Sequence, residues 1–122
     1  MRLVLAVAVI FALVAVALGA MGAHILGKRL SGDAMGVFRT GVEYQTVHSL
    51  GMALAVVVDR LRLASGLALP AAWVMAAGIV LFSGSLYGLA GTGKRVLGVI
   101  TPVGGLCFLG GWALLAIAVI RG

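Results

Sequence analysis

Acid is nearly absent from this sequence: Asp33, Glu43 and Asp59 stand against nine lysines and arginines. Charge of either sign is missing over long stretches, with none between Arg2 and Lys28, between Arg62 and Lys94, or between Arg95 and Arg121. Charged residues make up 10% of the 122 and hydrophobic ones 63%. That is too little polar surface to coat a water-soluble domain of this length, so the apolar excess must face lipid. The single cysteine, Cys107, excludes an intrachain disulfide. No cluster of cysteine, histidine and carboxylate has metal-ligand spacing, and no Ser-His-Asp or paired-carboxylate arrangement stands out. These absences point away from an enzyme and from a bound metal or cofactor.

The charge that is present marks boundaries. Although the net charge is +6, Arg2, Lys28, Arg29, Arg60, Arg62, Lys94, Arg95 and Arg121 all sit beside the ends of apolar runs. Residues there anchor helix ends at the lipid headgroups, so the expected partner is the bilayer and not a nucleic acid. A hydrocarbon core about 30 Å thick takes roughly 20 helical residues to cross. Each uncharged run is therefore one crossing, and a fourth runs from about Arg39 to Val58 across Glu43. The expected fold is all-α, a polytopic four-transmembrane-helix bundle filling residues 1–122, with helices over about 3–26, 34–58, 70–90 and 96–120. The first apolar run reaches Gly27, longer than the core of a cleaved leader, and is read as a retained helix. Ser31 or Asp33 caps the second helix, and Pro70 suits the first turn of the third. Pro102 lies either inside a continuous last helix, the favoured reading, or at its start behind Thr101. Four crossings put both termini on one side. The cations balance between the two faces, Arg2, Arg60, Arg62 and Arg121 against Lys28, Arg29, Arg39, Lys94 and Arg95, so the positive-inside rule selects neither orientation.

Small residues recur at helical spacing. Ala15, Gly19 and Ala23 mark one stripe, Gly84 and Gly88 another, and Gly104, Gly105, Gly110 and Gly111 thin the last helix. In lipid such stripes let helices approach closely. Trp112 lies too deep for the interfacial aromatic belt, so its indole N–H needs a partner among the helices. GLAGTGKR, residues 88–95, mimics a phosphate-binding loop. Arg95 stands where a magnesium-binding hydroxyl is required and a helix precedes it, so a tight interfacial turn accounts for it.

The unusual stretch is TGVEYQTVHSLG, residues 40–51. At 100° per residue Thr40, Gly41, Tyr44, His48 and Gly51 share one arc, a polar and small-residue stripe that belongs inside the bundle or against a wet crevice. Arg39 and Glu43 fall on another face, four apart and able to pair. His24 matches the depth of Glu43 and Tyr44 better than that of His48, so its expected contact is one of those two. The candidate polar intramembrane site is His24, Glu43, Tyr44, Gln45, His48 and Thr101.

GAMGAH at 19–24, FRTGVEYQTVHSLGMAL at 38–54, LFSGSLYGLAGTG at 81–93 and LGVITPVGGLCFLGGW at 97–112 cover most of the chain in order. Together they resemble the small bacterial membrane proteins of domain-of-unknown-function family 423, the YgdD-like group, which is similar to the animal transmembrane protein 256 family. The resemblance implies a multi-pass protein of the bacterial inner membrane with four helices and no established activity. The expected function is a non-enzymatic accessory or assembly component, with a second copy or another membrane protein as a possible partner. The alternative is a transporter or channel subunit for a small solute or protons, using the polar stripe of the second helix.

Overall fold

The computed structural model describes all residues from Met1 to Gly122 and contains four long helices and no strand. Helix α1 spans Arg2–His24 and runs into a short 3-10 turn, Leu26–Lys28. Helix α2 spans Gly32–Arg60, with the Ser31 hydroxyl accepting a bond from the Ala34 N–H at 3.2 Å. Helix α3 spans Ala68–Thr92 and ends where Gly93 takes a left-handed φ of 70° and its N–H returns to the Leu89 carbonyl. Helix α4, Leu97–Arg121, is continuous through Pro102. The phosphate-loop mimic thus sits at a helix C-terminus, where carbonyls rather than amides are free to meet a ligand.

Three of these segments are long and apolar enough to cross a membrane: Arg2–Lys28, Ala68–Thr92 and Leu97–Arg121. Helix α2 has the length, 29 residues, but its middle is diluted by the polar run from Glu43 to Ser49. The outward faces carry large apolar side chains that water would not tolerate in such number: Leu13 is 67% exposed, Val16 72%, Val99 72% and Leu109 70%.

The helices pack in sequence, α1 along α2, α2 on α3 and α3 on α4. On α4 the buried positions are Gly104, Phe108, Gly111, Leu115 and Ala118. Their alternating spacing of four and three is the seam of a left-handed pair of helices. The facing seam of α3 includes Ala71, Met75 and Gly78, and the α3–α4 crossing is tight. A Cβ on Gly111 would lie 2.6 Å from Met75 Cγ, one on Gly78 2.5 Å from Phe108 Cδ1, and one on Gly104 would run into the Phe82 backbone.

Midway along α3, Ile79–Ser83 form a π-helical turn. A π-turn holds an extra residue, so the faces before and after it are out of step with an α-helical wheel. The expected Gly84 face is corrected accordingly. Gly84 does not face a neighbour: it is exposed, and a Cβ there would meet nothing within 4 Å. A Cβ on Gly105 or Gly19 would make only ordinary contacts, 3.9 Å to the Phe82 ring and 3.6 Å to Val42, while one on Gly88 would lie 2.8 Å from the Leu97 side chain. On α1 the close approach is made by Gly22, where a Cβ would lie 2.8 Å from the Phe38 ring, and Ala23 is exposed.

Both termini lie at one end. Arg60 Nη1 is 3.9 Å from Met1 Sδ, and the Ser65 N–H donates to the Ala118 carbonyl at 2.8 Å beside the end of α4.

Candidate functional site

The polar residues of α2 meet partners from all three other helices. Gln45, 3% exposed, donates from Nε2 to the Phe11 carbonyl of α1 at 2.8 Å and accepts on Oε1 from the Tyr87 hydroxyl of α3 at 2.6 Å. One amide thereby joins three helices. Gly41, one turn earlier, leaves room for the Tyr87 ring, since a Cβ there would sit 2.7 Å from Tyr87 Cε1. The Gly41 carbonyl accepts from the fully buried Ser83 hydroxyl at 2.7 Å, and Ser83 is the last residue of the π-turn.

His48 holds the other side. Its Nδ1 lies 2.7 Å from the Tyr44 carbonyl and its Nε2 3.0 Å from the Trp112 indole nitrogen. A carbonyl can only accept and an indole N–H can only donate, so the ring is the neutral tautomer with its proton on Nδ1. Phe108 stacks on it with centroids 3.5 Å apart and planes 12° from parallel. Gly51 makes this geometry possible, because a Cβ there would lie 3.0 Å from Trp112 Cζ2. The partner expected for the deep tryptophan is therefore His48. Between α3 and α4, Ser85 and Thr101 share a hydroxyl bond of 2.6 Å.

These bonds cross four helix pairs: α1–α2, α2–α3, α2–α4 and α3–α4. Among buried side-chain nitrogens and oxygens only Ser65 Oγ, in the connection before α3, is without a partner.

Of the six candidate residues, Gln45, His48 and Thr101 join this set. Tyr44 is 43% exposed; its ring packs on Phe82 at 4.6 Å and beside His48 at 5.9 Å, while its carbonyl does the bonding. The buried stripe of α2 thus runs through Gly41, Gln45, His48 and Met52, and Tyr44 lies on its edge. Glu43 is exposed and lines a small hollow with Arg39, Gly19 and Gly22. His24 is exposed, the last residue of α1, and does not line that hollow. The expected contact of His24 with Glu43 or Tyr44 is absent because Gly19 and Gly22 are the α1 residues that share the hollow with Glu43, and Tyr44 packs on Phe82 and Phe108 of α3 and α4. Tyr87, Ser83, Ser85 and Trp112 complete the network. The signal for them is the pair of glycines, Gly41 and Gly51, each three or four residues from a polar residue and each admitting a ring from another helix.

The chain is similar over its whole length to proteins named only by location. It is 42% identical over 122 residues to the UPF0382 membrane protein YwdK of Bacillus subtilis, covering 99% of this chain and 98% of that one. It is 45% identical over 121 residues to the UPF0382 inner membrane protein YgdD of Escherichia coli K12, covering 98% and 91%. No solved structure matches. The model of a family described as protein of unknown function (DUF423) matches residues 18–105, a stretch holding every hydrogen-bonding side chain of the network except Trp112. This chain, a multi-pass inner-membrane protein, belongs to the DUF423 family.

Proposed function

We propose that the protein is a non-enzymatic membrane component with four crossings, an accessory or assembly element whose polar residues hold the helices together and do not conduct. The observation that carries this reading is the completeness of the network. Lipid tails are as apolar as leucine, so helices in a membrane associate through close packing and hydrogen bonds. Bonded pairs at four helix interfaces, set among glycines that permit approach, serve that purpose. A proton path would need polar atoms that exchange partners along a wetted channel. Here both nitrogens of His48 and both ends of the Gln45 amide are committed to neighbouring helices. The four hollows of the molecule are open clefts on its outer surface.

Helix α2 is the fourth crossing in this reading. Its 29 residues rise about 43 Å at 1.5 Å each, and Gln45, His48 and Ser49 turn inward. A reporter fused after Gly122 and one placed in the 25–31 connection are expected on opposite sides of the membrane. Finding them on the same side removes the four-crossing arrangement.

Conduction has its own test. Liposomes holding the purified protein and a proton-sensitive dye are expected to acidify under a pH gradient no faster than empty liposomes. A flux that disappears in His48→Leu would instead establish the transporter alternative.

A further inference from the structure

The end of the molecule that carries both termini has a groove between the start of α1 and the end of α2, about 360 Å³ in volume. Its walls are Met1, Leu5, Val56, Val57 and Leu61, and Arg2 and Arg60 border it from the two helices. The other hollows differ in charge: that of Arg39 also holds Glu43, a third has Asp33 and no cation, and the fourth has no charge at all. Only the groove of Arg2 and Arg60 combines an apolar cleft with cations and no acid. The first turn of α1 contains no acidic residue, and Asp59, although adjacent to Arg60 in sequence, does not line the groove.

Two unneutralised guanidinium groups over an apolar cleft at the end of membrane helices complement a molecule that is anionic at one end and apolar at the other. Arginine binds phosphate oxygens in a bidentate fork, and basic pockets between membrane helices suit phospholipid headgroups. We propose that this groove binds one anionic phospholipid, with its phosphate between Arg2 and Arg60 and an acyl chain along Leu5, Val56 and Val57. The site depends on α1 crossing the membrane and not on the accessory role proposed above.

The test is a native mass spectrometry titration of the full chain in neutral detergent. The probes are dioleoyl phosphatidylglycerol, dioleoyl phosphatidylcholine and glycerol 3-phosphate, the last being the headgroup chemistry without chains. Phosphatidylglycerol is expected to form a one-to-one adduct on the order of tenfold tighter than phosphatidylcholine, with glycerol 3-phosphate binding far more weakly. Arg2→Gln with Arg60→Gln removes the preference. Arg62→Gln with Arg121→Gln, which subtracts the same charge at the same end, retains it. Leu5→Trp fills the groove and weakens phosphatidylglycerol without altering net charge. Equal loss in the two double variants would reduce the effect to bulk charge and overturn the site. Equal binding of glycerol 3-phosphate and phosphatidylglycerol would overturn the acyl groove, and equal binding of the two lipids would overturn the proposal outright.

Discussion

Gly104→Leu is expected to be the most damaging single substitution in this chain, lowering stability in detergent by about 3 kcal/mol or more. A Cβ at this position meets the backbone nitrogen of Phe82 and lies 2.7 Å from its Cα. Backbone within a helix cannot swing aside as the tip of a side chain can, so α3 and α4 must separate along the seam where Gly104, Phe108, Gly111, Leu115 and Ala118 are buried. Separation also opens the Ser85–Thr101 bond and draws Trp112 away from His48. The control is Gly84→Leu, the same chemical change on α3. Its Cβ meets nothing within 4 Å, so the added side chain enters lipid, and replacing a helical glycine removes a cost of about 1 kcal/mol. Thermal unfolding followed by circular dichroism in a mild detergent is expected to leave Gly84→Leu within a few degrees of the parent and to find Gly104→Leu largely unfolded or aggregated. Equal behaviour of the two variants would refute the packing in which Gly104 meets α3 and Gly84 faces away from its neighbours.

That contrast separates what the sequence states from what it leaves to packing. The membrane habitat and the course of α1, α3 and α4 follow from where charge is missing, because one lysine or arginine in the hydrocarbon costs more than any local propensity supplies. Helix α2 is harder to read. Its polar residues fail a hydropathy count for the reason that makes them informative: they are polar because they are bonded to other helices. An ideal wheel places Tyr44 with His48, and the real stripe is one residue further round, with Gln45 inside, since the α2 surface is shared among three neighbours. Nothing local marks Trp112 as the partner of His48, 64 residues away, or Phe11 as the acceptor for Gln45. The π-turn of Ile79–Ser83 has no sequence signature beyond its flanking glycines, and it displaced the expected Gly84 face. His24 and Glu43 drew attention by their chemistry in an oily chain. His24 lies at the exposed end of α1, and Glu43 is exposed at the rim of the hollow it shares with Arg39.

The second large effect concerns the bond between His48 and Trp112. His48→Leu leaves the indole N–H of Trp112 without an acceptor on a helix whose outer face is in lipid, where no water replaces the imidazole. Trp112→Phe leaves Nε2 of the buried His48 without a donor. Each loss is expected to cost about 1–3 kcal/mol, toward the lower end if the unfolded helices find other partners in the membrane. The Tyr44 carbonyl loses little, because the α-helix already supplies it a donor. The double variant leaves neither atom stranded, so it is expected to be destabilised by less than the sum of the single changes, with a coupling of about 1 kcal/mol. Glu43→Gln is the reference: an exposed side chain at the rim of a shallow hollow, whose change is expected to stay within about 0.5 kcal/mol. Reversible unfolding in mixed detergent, read by tryptophan fluorescence for the variants that keep Trp112 and by circular dichroism for all, gives the four corners of the cycle. Strict additivity would mean that the two rings are packed together without a bond that matters, and the reading of the polar stripe as the tie between helices would fail at its centre. A non-additive cycle with Glu43→Gln silent would locate the stabilising chemistry of α2 on the inward face, at the Gln45 and His48 positions, and away from the charge that stands out in the sequence.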